Sequence, residues 1–279
     1  MEERRFKSLF RVFFAVLCAQ SLALASLSPE NVKPEHHYDV SVRLDVPLSL
    51  GITLTSALGV YRYYSMERVS ADNLKPRSDF LPWDRPFVGH YSGWATTVSH
   101  YTGALAVAPL ALAGYSWYKG DADAHDFGAF MLMFAEAFAL ENALNQIFRS
   151  MQLWPRPFIY AKRGEGAKKA ASARGEAYGS FYSGHASAAF TVAIFTGDWF
   201  SEVYPNSKYK PLVWASSFAL ASGVAALRVV AGKHYPSDVL VGALMGTGVS
   251  LGILKLHEIC KNKVSFWVIP NNIGAVFYF

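Results

Sequence analysis

Two arginines separated by six residues stand where a predicted helix ends. Arg149 and Arg156 flank the sequence SMQLWP, and Pro155 and Pro157 prevent a helix from continuing through it. A guanidinium presents a fixed fork of donors that matches phosphate oxygens. Taken alone, paired arginines at a helix end more often cap carbonyls or lie in solvent, so this pair needs support from elsewhere in the chain.

A second cluster, Tyr182-Ser183-Gly184-His185, begins an alanine-rich segment that is predicted to be helical. The free backbone N–H groups and the positive dipole of a helix N-terminus favour an anion. Ser183 adds a hydroxyl donor, Gly184 lets a ligand approach the backbone, and His185 is a candidate proton donor. The alternative for this cluster is an ordinary helix N-cap.

The third cluster, Arg228, His234 and Asp238, lies in the sequence RVVAGKHYPSD. His234 and Asp238 are four residues apart at the start of a predicted helix, so their side chains can meet. A carboxylate on one imidazole nitrogen fixes the tautomer and leaves the other nitrogen as a base or nucleophile. Arg228 lies at the end of the preceding predicted helix and is expected to face the start of the helix that carries His234 and Asp238. Histidine–aspartate pairs at this spacing are more often structural than catalytic.

Taken together, the three clusters lie at the ends of four predicted helices. One end of a bundle could therefore gather three guanidiniums, a serine, two histidines and an aspartate, which is a cage for a multiply charged tetrahedral oxyanion. No glycine-rich nucleotide loop and no paired-carboxylate metal site in the sequence competes with this interpretation. We expect no cofactor and no metal ligand set.

Six helical segments must position these residues, and the chain is predicted to be all-α. The segments cover residues 46–64, 94–118, 127–150, 185–203, 211–229 and 237–258. The linkers 65–93 and 151–182 separate some of them, and the basic stretch 162–174 is predicted to be a mobile loop. In the tail, aromatic and β-branched residues flank Asn271-Asn272, which predicts a short β-hairpin that acts as a lid or docking strand pair.

Composition limits the class of protein. The chain has 279 residues, of which 52% are hydrophobic and 17% are charged, and this excludes a disordered chain. Cys18 and Cys260 are the only cysteines, so a disulfide scaffold is excluded too. The net charge of +5 is too small to indicate a nucleic-acid partner, although it suits an anionic membrane surface or an anionic substrate.

The N-terminal residues have the features of a targeting segment. Residues 1–25 combine a basic start, an apolar run and a small-x-small end, which are the parts of a secretory signal peptide. A retained membrane anchor is the alternative. We expect an N-terminal segment at 26–44, a helical domain at 45–260 and a tail at 261–279. The mature protein is then expected in the cell envelope, secreted across the inner membrane.

The sequence leaves open whether the helices cross a membrane. A spanning helix needs about 20 mostly apolar residues. The stretch Pro86–Tyr118 meets this requirement, and 211–227 and 239–254 come close. Segment 127–150 does not, because it contains Glu136 and Glu141 besides three amide side chains. We expect membrane association, with a soluble periplasmic bundle as the alternative.

The three clusters resemble the motifs of the type 2 phosphatidic acid phosphatase (PAP2) superfamily, which also contains class A acid phosphatases and vanadium haloperoxidases. The family pattern is Lys-x6-Arg-Pro, then Pro-Ser-Gly-His, then Ser-Arg-x5-His-x3-Asp. The chain keeps the order and the spacings over roughly residues 45–258. It departs from the pattern at Arg149 for lysine, Tyr182 for proline and Leu227 for serine. The six-helix layout of the family agrees with the segments above.

The resemblance implies a role for each residue. His234 is the nucleophile that takes the phosphoryl group, Asp238 orients it, and His185 is the acid and then the base. The phosphate-binding residues are Arg149, Arg156, Ser183, Gly184 and Arg228. The implied activity is a metal-independent phosphatase that forms a phosphohistidine and acts on a phosphorylated small molecule or lipid.

Two other functions stay open at this stage. One is a vanadium-dependent haloperoxidase that holds vanadate in the same pocket, and the other is a catalytically silent envelope binding protein. The remaining histidines, at 36, 37, 90, 100, 125 and 257, show no metal-ligand spacing. Glu136 and Glu141 are expected to pair with polar groups between helices.

Overall fold

The computed structural model describes residue 38 and residues 40–101, 107–269 and 272–277. Eight α-helices and two strands fall within these ranges. They are α1 Val42–Tyr64, α2 Gly93–Tyr101, α3 Ala108–Lys119, α4 Ala124–Ser150, α5 Gly164–Ala171, α6 Gly184–Val203, α7 Lys210–Val230, α8 Pro236–Lys263, β1 Val264–Ile269 and β2 Asn272–Phe277. The predicted signal peptide lies outside the described residues.

The predicted helical class is confirmed, but the count of six helices is not. Five predicted segments are single helices with ends close to those expected. The segment predicted at 94–118 contains two described helices, α2 and α3, with 102–106 outside the described residues. The stretch 162–174, predicted to be a mobile loop, contains α5, because its alanines and lysines are strong helix formers.

The two strands follow α8 directly. They pair antiparallel, with Val264 opposite Phe277 and Ile269 opposite Asn272. The turn was predicted at Asn271-Asn272, and Asn271 lies outside the described residues. The role of this tail as a lid or docking pair stays a prediction.

The core lies between α4 and α6. Phe130 of α4 packs against Phe195 and Trp199 of α6, at ring-centroid distances of 5.7 and 4.6 Å. Small residues let α8 approach the same helix closely. A methyl group at Gly246 would overlap the backbone carbonyl of Ser187, so only glycine allows this contact. This packing holds the start of α8 against the start of α6.

Four helices are long and apolar enough to cross a membrane. They are Leu44–Tyr64, Ala124–Ser150, Lys210–Val230 and Pro236–Ile259. The sequence-based prediction was wrong about 127–150, because its two glutamates are outweighed by the apolar residues around them. The stretch Pro86–Tyr118 stays a prediction as a span, because residues 102–106 within it lie outside the described residues.

Candidate active site

Backbone hydrogen bonds bring the three sequence clusters to one end of the bundle. The N–H of Ser183 donates to the carbonyl of Asp238 at 3.0 Å, which joins the start of α6 to the start of α8. The N–H of Phe158 donates to the carbonyl of Gly232 at 3.2 Å, which joins the loop after Arg156 to the loop before His234. Residues far apart in sequence therefore share one site.

The imidazole of His234 is buried and its orientation is fixed. Only 2% of the residue is exposed. Its Nδ1 lies 2.9 Å from the carbonyl oxygen of Ser180, so this nitrogen carries the hydrogen and donates it. The other nitrogen, Nε2, then has a free lone pair, which is the form that a nucleophile requires.

The direct hydrogen bond expected between His234 and Asp238 is absent, since Nδ1 and the nearer carboxylate oxygen are 3.6 Å apart. That oxygen, Oδ2, accepts instead from the hydroxyl of Ser180 at 2.6 Å and from the N–H of Tyr235 at 2.9 Å. The indole N–H of Trp154 donates to Oδ1 at 3.1 Å. Asp238 therefore orients His234 through Ser180, which sequence reasoning missed.

The charges of three arginines, Arg156, Arg228 and Arg149, act on this imidazole. Arg149 donates from Nε to the carbonyl of Gly179 at 3.1 Å and from Nη2 to the carbonyl of Glu176 at 3.0 Å. Its guanidinium carbon lies 4.7 Å from the centroid of the Tyr63 ring. Arg228 donates from Nη1 to the hydroxyl of Ser99 at 2.8 Å. Arg149 and Arg228 are thus held in place by neutral acceptors.

The positive charge of this cluster is poorly compensated. Among the described residues, none of the three guanidiniums forms an ion pair with a carboxylate. The Nε atoms of Arg156 and Arg228 are buried and have no hydrogen-bond partner. Burial, together with the charges of Arg149 and Arg228, lowers the pKa of Arg156 to about 9. Glu176 offsets part of this charge. Buried donors without acceptors in a cluster of cations are favourable surroundings for an anion.

The same charges act on the imidazole. Burial lowers the pKa of His234 well below its usual value, and the charges of Arg156, Arg228, Arg149 and His185 lower it further. His234 is therefore neutral over a wide pH range.

The residues at the start of α6 differ in their exposure. Ser183 is fully buried, and its Oγ accepts from the N–H of Ala186 at 3.4 Å, so the alternative of a helix N-cap holds for this hydroxyl. That bond leaves the hydroxyl hydrogen unused. Gly184 lies against the side chain of Asn145, which leaves no room for a Cβ. His185 is exposed.

Sequence reasoning missed a fourth cation. Lys233 is 6% exposed, and its Nζ lies 4.7 Å from the centroid of the Phe158 ring. Burial and then the charges of Arg156, Lys169 and Arg228 lower its pKa to about 7. Its position in the third cluster, next to His234, is the sequence feature that could have indicated it.

Asp84 was also missed. It is 2% exposed and accepts from both the N–H and the hydroxyl of Ser237, at 3.1 and 2.6 Å. These bonds fix the first turn of α8, which carries Asp238. Asp84 comes 153 residues before its partner, and no pattern in the sequence connects them.

The described arrangement has the parts that phosphoryl transfer needs, namely a neutral imidazole, an exposed second imidazole and fixed donors for equatorial oxygens. A family model described as the PAP2 superfamily matches residues 130–261. The match contains every candidate site residue of the three clusters. Comparison with curated proteins and with solved structures gives no match.

Proposed function

The chain belongs to the PAP2 superfamily, and from this premise we propose that it is a metal-independent phosphatase of the cell envelope. Members of the superfamily are phosphatases and related hydrolases. The proposed reaction is hydrolysis of a phosphomonoester or a lipid (pyro)phosphate through a phosphohistidine at His234. The observation that carries the proposal is the set of unpaired buried guanidinium donors around a neutral imidazole.

In the first step, Nε2 of His234 attacks phosphorus and the bond to the leaving oxygen breaks. His185 donates a proton to that oxygen, so an alcohol leaves. The guanidiniums of Arg149, Arg156 and Arg228 stabilise the charge on the equatorial oxygens, with the N–H of Gly184 as a further donor. The hydrogen on Nδ1 stays on the imidazole throughout, because it is bonded to the carbonyl of Ser180.

In the second step, water attacks the phosphohistidine. His185, now neutral, takes a proton from the water as the new P–O bond forms and the P–N bond breaks. Phosphate leaves and both histidines return to their starting states. Asp238, 3.6 Å from Nδ1, stabilises the positive charge that the imidazole carries while it is phosphorylated.

Two departures from the family pattern affect phosphate binding. Arg149 replaces a lysine, and its two bonds to backbone carbonyls hold the guanidinium in one orientation, so it offers a directed fork where lysine offers a mobile point charge. Leu227 lacks the hydroxyl of the family's serine, so the phosphate loses one hydrogen-bond donor, which weakens binding by about 1 kcal/mol. Neither change touches a nucleophilic or proton-transferring group.

Exposed leucines favour a lipid substrate over a soluble one. Large apolar side chains are exposed along three of the four candidate spans. They include Leu50, Leu54 and Leu58 on α1, Leu212 and Leu220 on α7, and Leu240, Leu244 and Leu251 on α8. A soluble surface rarely carries such continuous apolar faces. We therefore propose that the bundle is membrane-associated and that its pocket receives a phosphorylated lipid headgroup.

Phosphate release from a chromogenic phosphomonoester and from a lipid phosphate in mixed micelles, with EDTA present, tests this function. Chelator-resistant release from either substrate is expected. Bromide oxidation that needs vanadate and peroxide, without phosphate release, would indicate a haloperoxidase instead. Absence of both activities in a folded protein would indicate a silent binding protein.

A further inference from the structure

Three titratable side chains that the proposed phosphatase does not use lie together inside the bundle. Asp45 is in the first turn of α1, Glu136 is near the middle of α4, and His257 is close to the end of α8. Their exposed fractions are 0%, 0% and 4%. One candidate ligand atom from each lies within 4.8 Å of those from the other two.

This cluster is far from the phosphate site. His257 follows Asp238 by nineteen residues along α8, which is about 28 Å at the rise of an α-helix. Asp45 likewise lies at the opposite end of α1 from Tyr63, the residue against Arg149. The cluster is therefore a separate feature of the molecule.

Each of the three side chains is oriented by one hydrogen bond and has another atom facing the cluster centre. The orienting partners are the carbonyl of Ile253 for Nδ1 of His257 (2.9 Å), the N–H of Ser41 for Oδ2 of Asp45 (2.6 Å) and the hydroxyl of Ser49 for Oε1 of Glu136 (3.0 Å). The atoms that converge are Nε2 of His257, Oδ1 of Asp45 and Oε2 of Glu136. Hydrogen bonds of this kind orient the ligands of protein metal sites.

The converging atoms need a cation among them. Nδ1 of His257 must carry a hydrogen to donate to Ile253, so Nε2 of the neutral ring has a lone pair, whereas a protonated ring donates from Nε2 to Oδ1 of Asp45. Nε2 lies 2.6 Å from Oδ1 of Asp45 and 3.5 Å from Oε2 of Glu136, both of them acceptors. Oε2 is buried and has no hydrogen-bond partner. Acceptors pointing at one another in an apolar interior are unfavourable without a proton or a metal ion between them.

A metal ion satisfies the cluster better than a proton does. A proton on Nε2 would bridge to Asp45, but it would leave Oε2 unpaired and one negative charge buried. A divalent ion neutralises both carboxylates and uses all three atoms. Tetrahedral zinc places an imidazole nitrogen and a carboxylate oxygen about 3.4 Å apart, which the distance from Nε2 to Oε2 already matches. The distance to Oδ1 would lengthen by less than about 1 Å.

We propose that Asp45, Glu136 and His257 bind one divalent transition-metal ion of the zinc class. One imidazole and two carboxylates form a zinc donor set, and a water molecule completes four ligands. The ion links α1, α4 and α8, and it stabilises the helix that carries Tyr63. These three residues stand in three separate helices, so their spacing in the sequence did not predict a metal site.

Metal binding by the full-length protein in detergent tests this proposal. Chelator-treated protein is titrated with Zn²⁺, and bound metal is measured by elemental analysis alongside the unfolding temperature. About one ion per chain and a higher unfolding temperature are expected. His257→Ala should lose the ion. The control is His125→Ala, which should keep the ion. It removes the histidine of a second, partly exposed group of possible ligands, Asp123, His125 and Asp126.

Co²⁺ in place of Zn²⁺ gives a readout on the wild-type protein, so the test survives if His257→Ala does not fold. The visible absorption of four-coordinate cobalt with a nitrogen ligand is expected, and Asp45→Asn should reduce it. Wild-type protein that binds no Zn²⁺, or His257→Ala that keeps its ion, would overturn the proposal. The phosphate chemistry needs no metal, so chelation should lower the unfolding temperature while turnover of the folded protein persists.

Discussion

The two histidines of the candidate site have opposite environments. His234 is enclosed and neutral, whereas His185 is exposed at the start of α6. Burial suits the proposed nucleophile, His234, because a neutral imidazole can attack without first losing a proton. Exposure suits the proposed acid, His185, because it must reach the leaving group and then water.

Replacement of His185 by alanine should lower turnover by about 10²- to 10⁴-fold, the usual contribution of general acid–base catalysis. The first step should be affected less with an aryl phosphate than with an alkyl phosphate, because a phenolate leaves without a proton. Rapid-quench measurement of alcohol release in the first turnover checks this. Equal losses for both leaving groups in that step would contradict the role of His185 as the acid.

The pH dependence of substrate binding should depend on Lys233. Its pKa is lowered to about 7, so the side chain is charged below that pH and loses its charge as the pH rises. KM for a dianionic substrate should therefore increase between about pH 6 and about pH 8. Lys233→Arg should flatten this increase because arginine keeps its charge. Lys233→Met should show a raised KM already at the lower pH. An unchanged pH profile in Lys233→Met would show that another group titrates.

Individual helices were largely predictable, but one short helix was not. Hydrophobic content and prolines located α1, α4, α6, α7 and α8, since these signals are local. Helix α5 was missed because its lysines and glycines are equally typical of loops.

The contact between α6 and α8 should tolerate no added methyl group. Gly246→Ala would overlap the carbonyl of Ser187 and separate the helix that carries Ser183 from the helix that carries Asp238. Forced overpacking of this kind costs about 1–3 kcal/mol, with a loss of activity as the site opens. Thermal unfolding in detergent and phosphate release measure the two effects.

Gly248→Ala is the matched control, because a Cβ at Gly248 meets nothing within 4 Å on the same helix. It should leave activity unchanged and stabilise the helix by about 0.5–1 kcal/mol. Equal destabilisation by both substitutions would show that the close approach of α6 and α8 does not matter.

For the whole molecule, the exposed leucine faces predict stable membrane association. After fractionation and a carbonate wash, the protein should remain in the membrane pellet, because apolar burial in lipid does not depend on charge. A peripheral protein from the same cells, held by electrostatic attraction, should be released as the control. Release of this protein with that control would favour the soluble bundle and a soluble phosphomonoester.

The candidate site was predictable where its residues share a local pattern. Arg228, His234 and Asp238 lie in one short segment, so their spacing could be recognised. The residues that hydrogen-bond to the site residues could not be predicted in this way. Ser180 and Asp238 are 58 residues apart, and the expected direct bond from His234 to Asp238 was wrong because other donors occupy that carboxylate. Such contacts depend on how the helices pack, which periodicity does not specify.

Trapping of a phosphoenzyme tests the central claim most directly. Wild-type protein and His185→Ala are mixed with a labelled phosphomonoester in EDTA, quenched in alkali and digested. Label on His234 is expected. With an aryl phosphate, whose leaving group needs no acid, His185→Ala should carry more label because the second step is slowed more than the first. His234→Ala should carry no label and release no phosphate. Label elsewhere, or phosphate release at the wild-type rate by His234→Ala, would contradict the account.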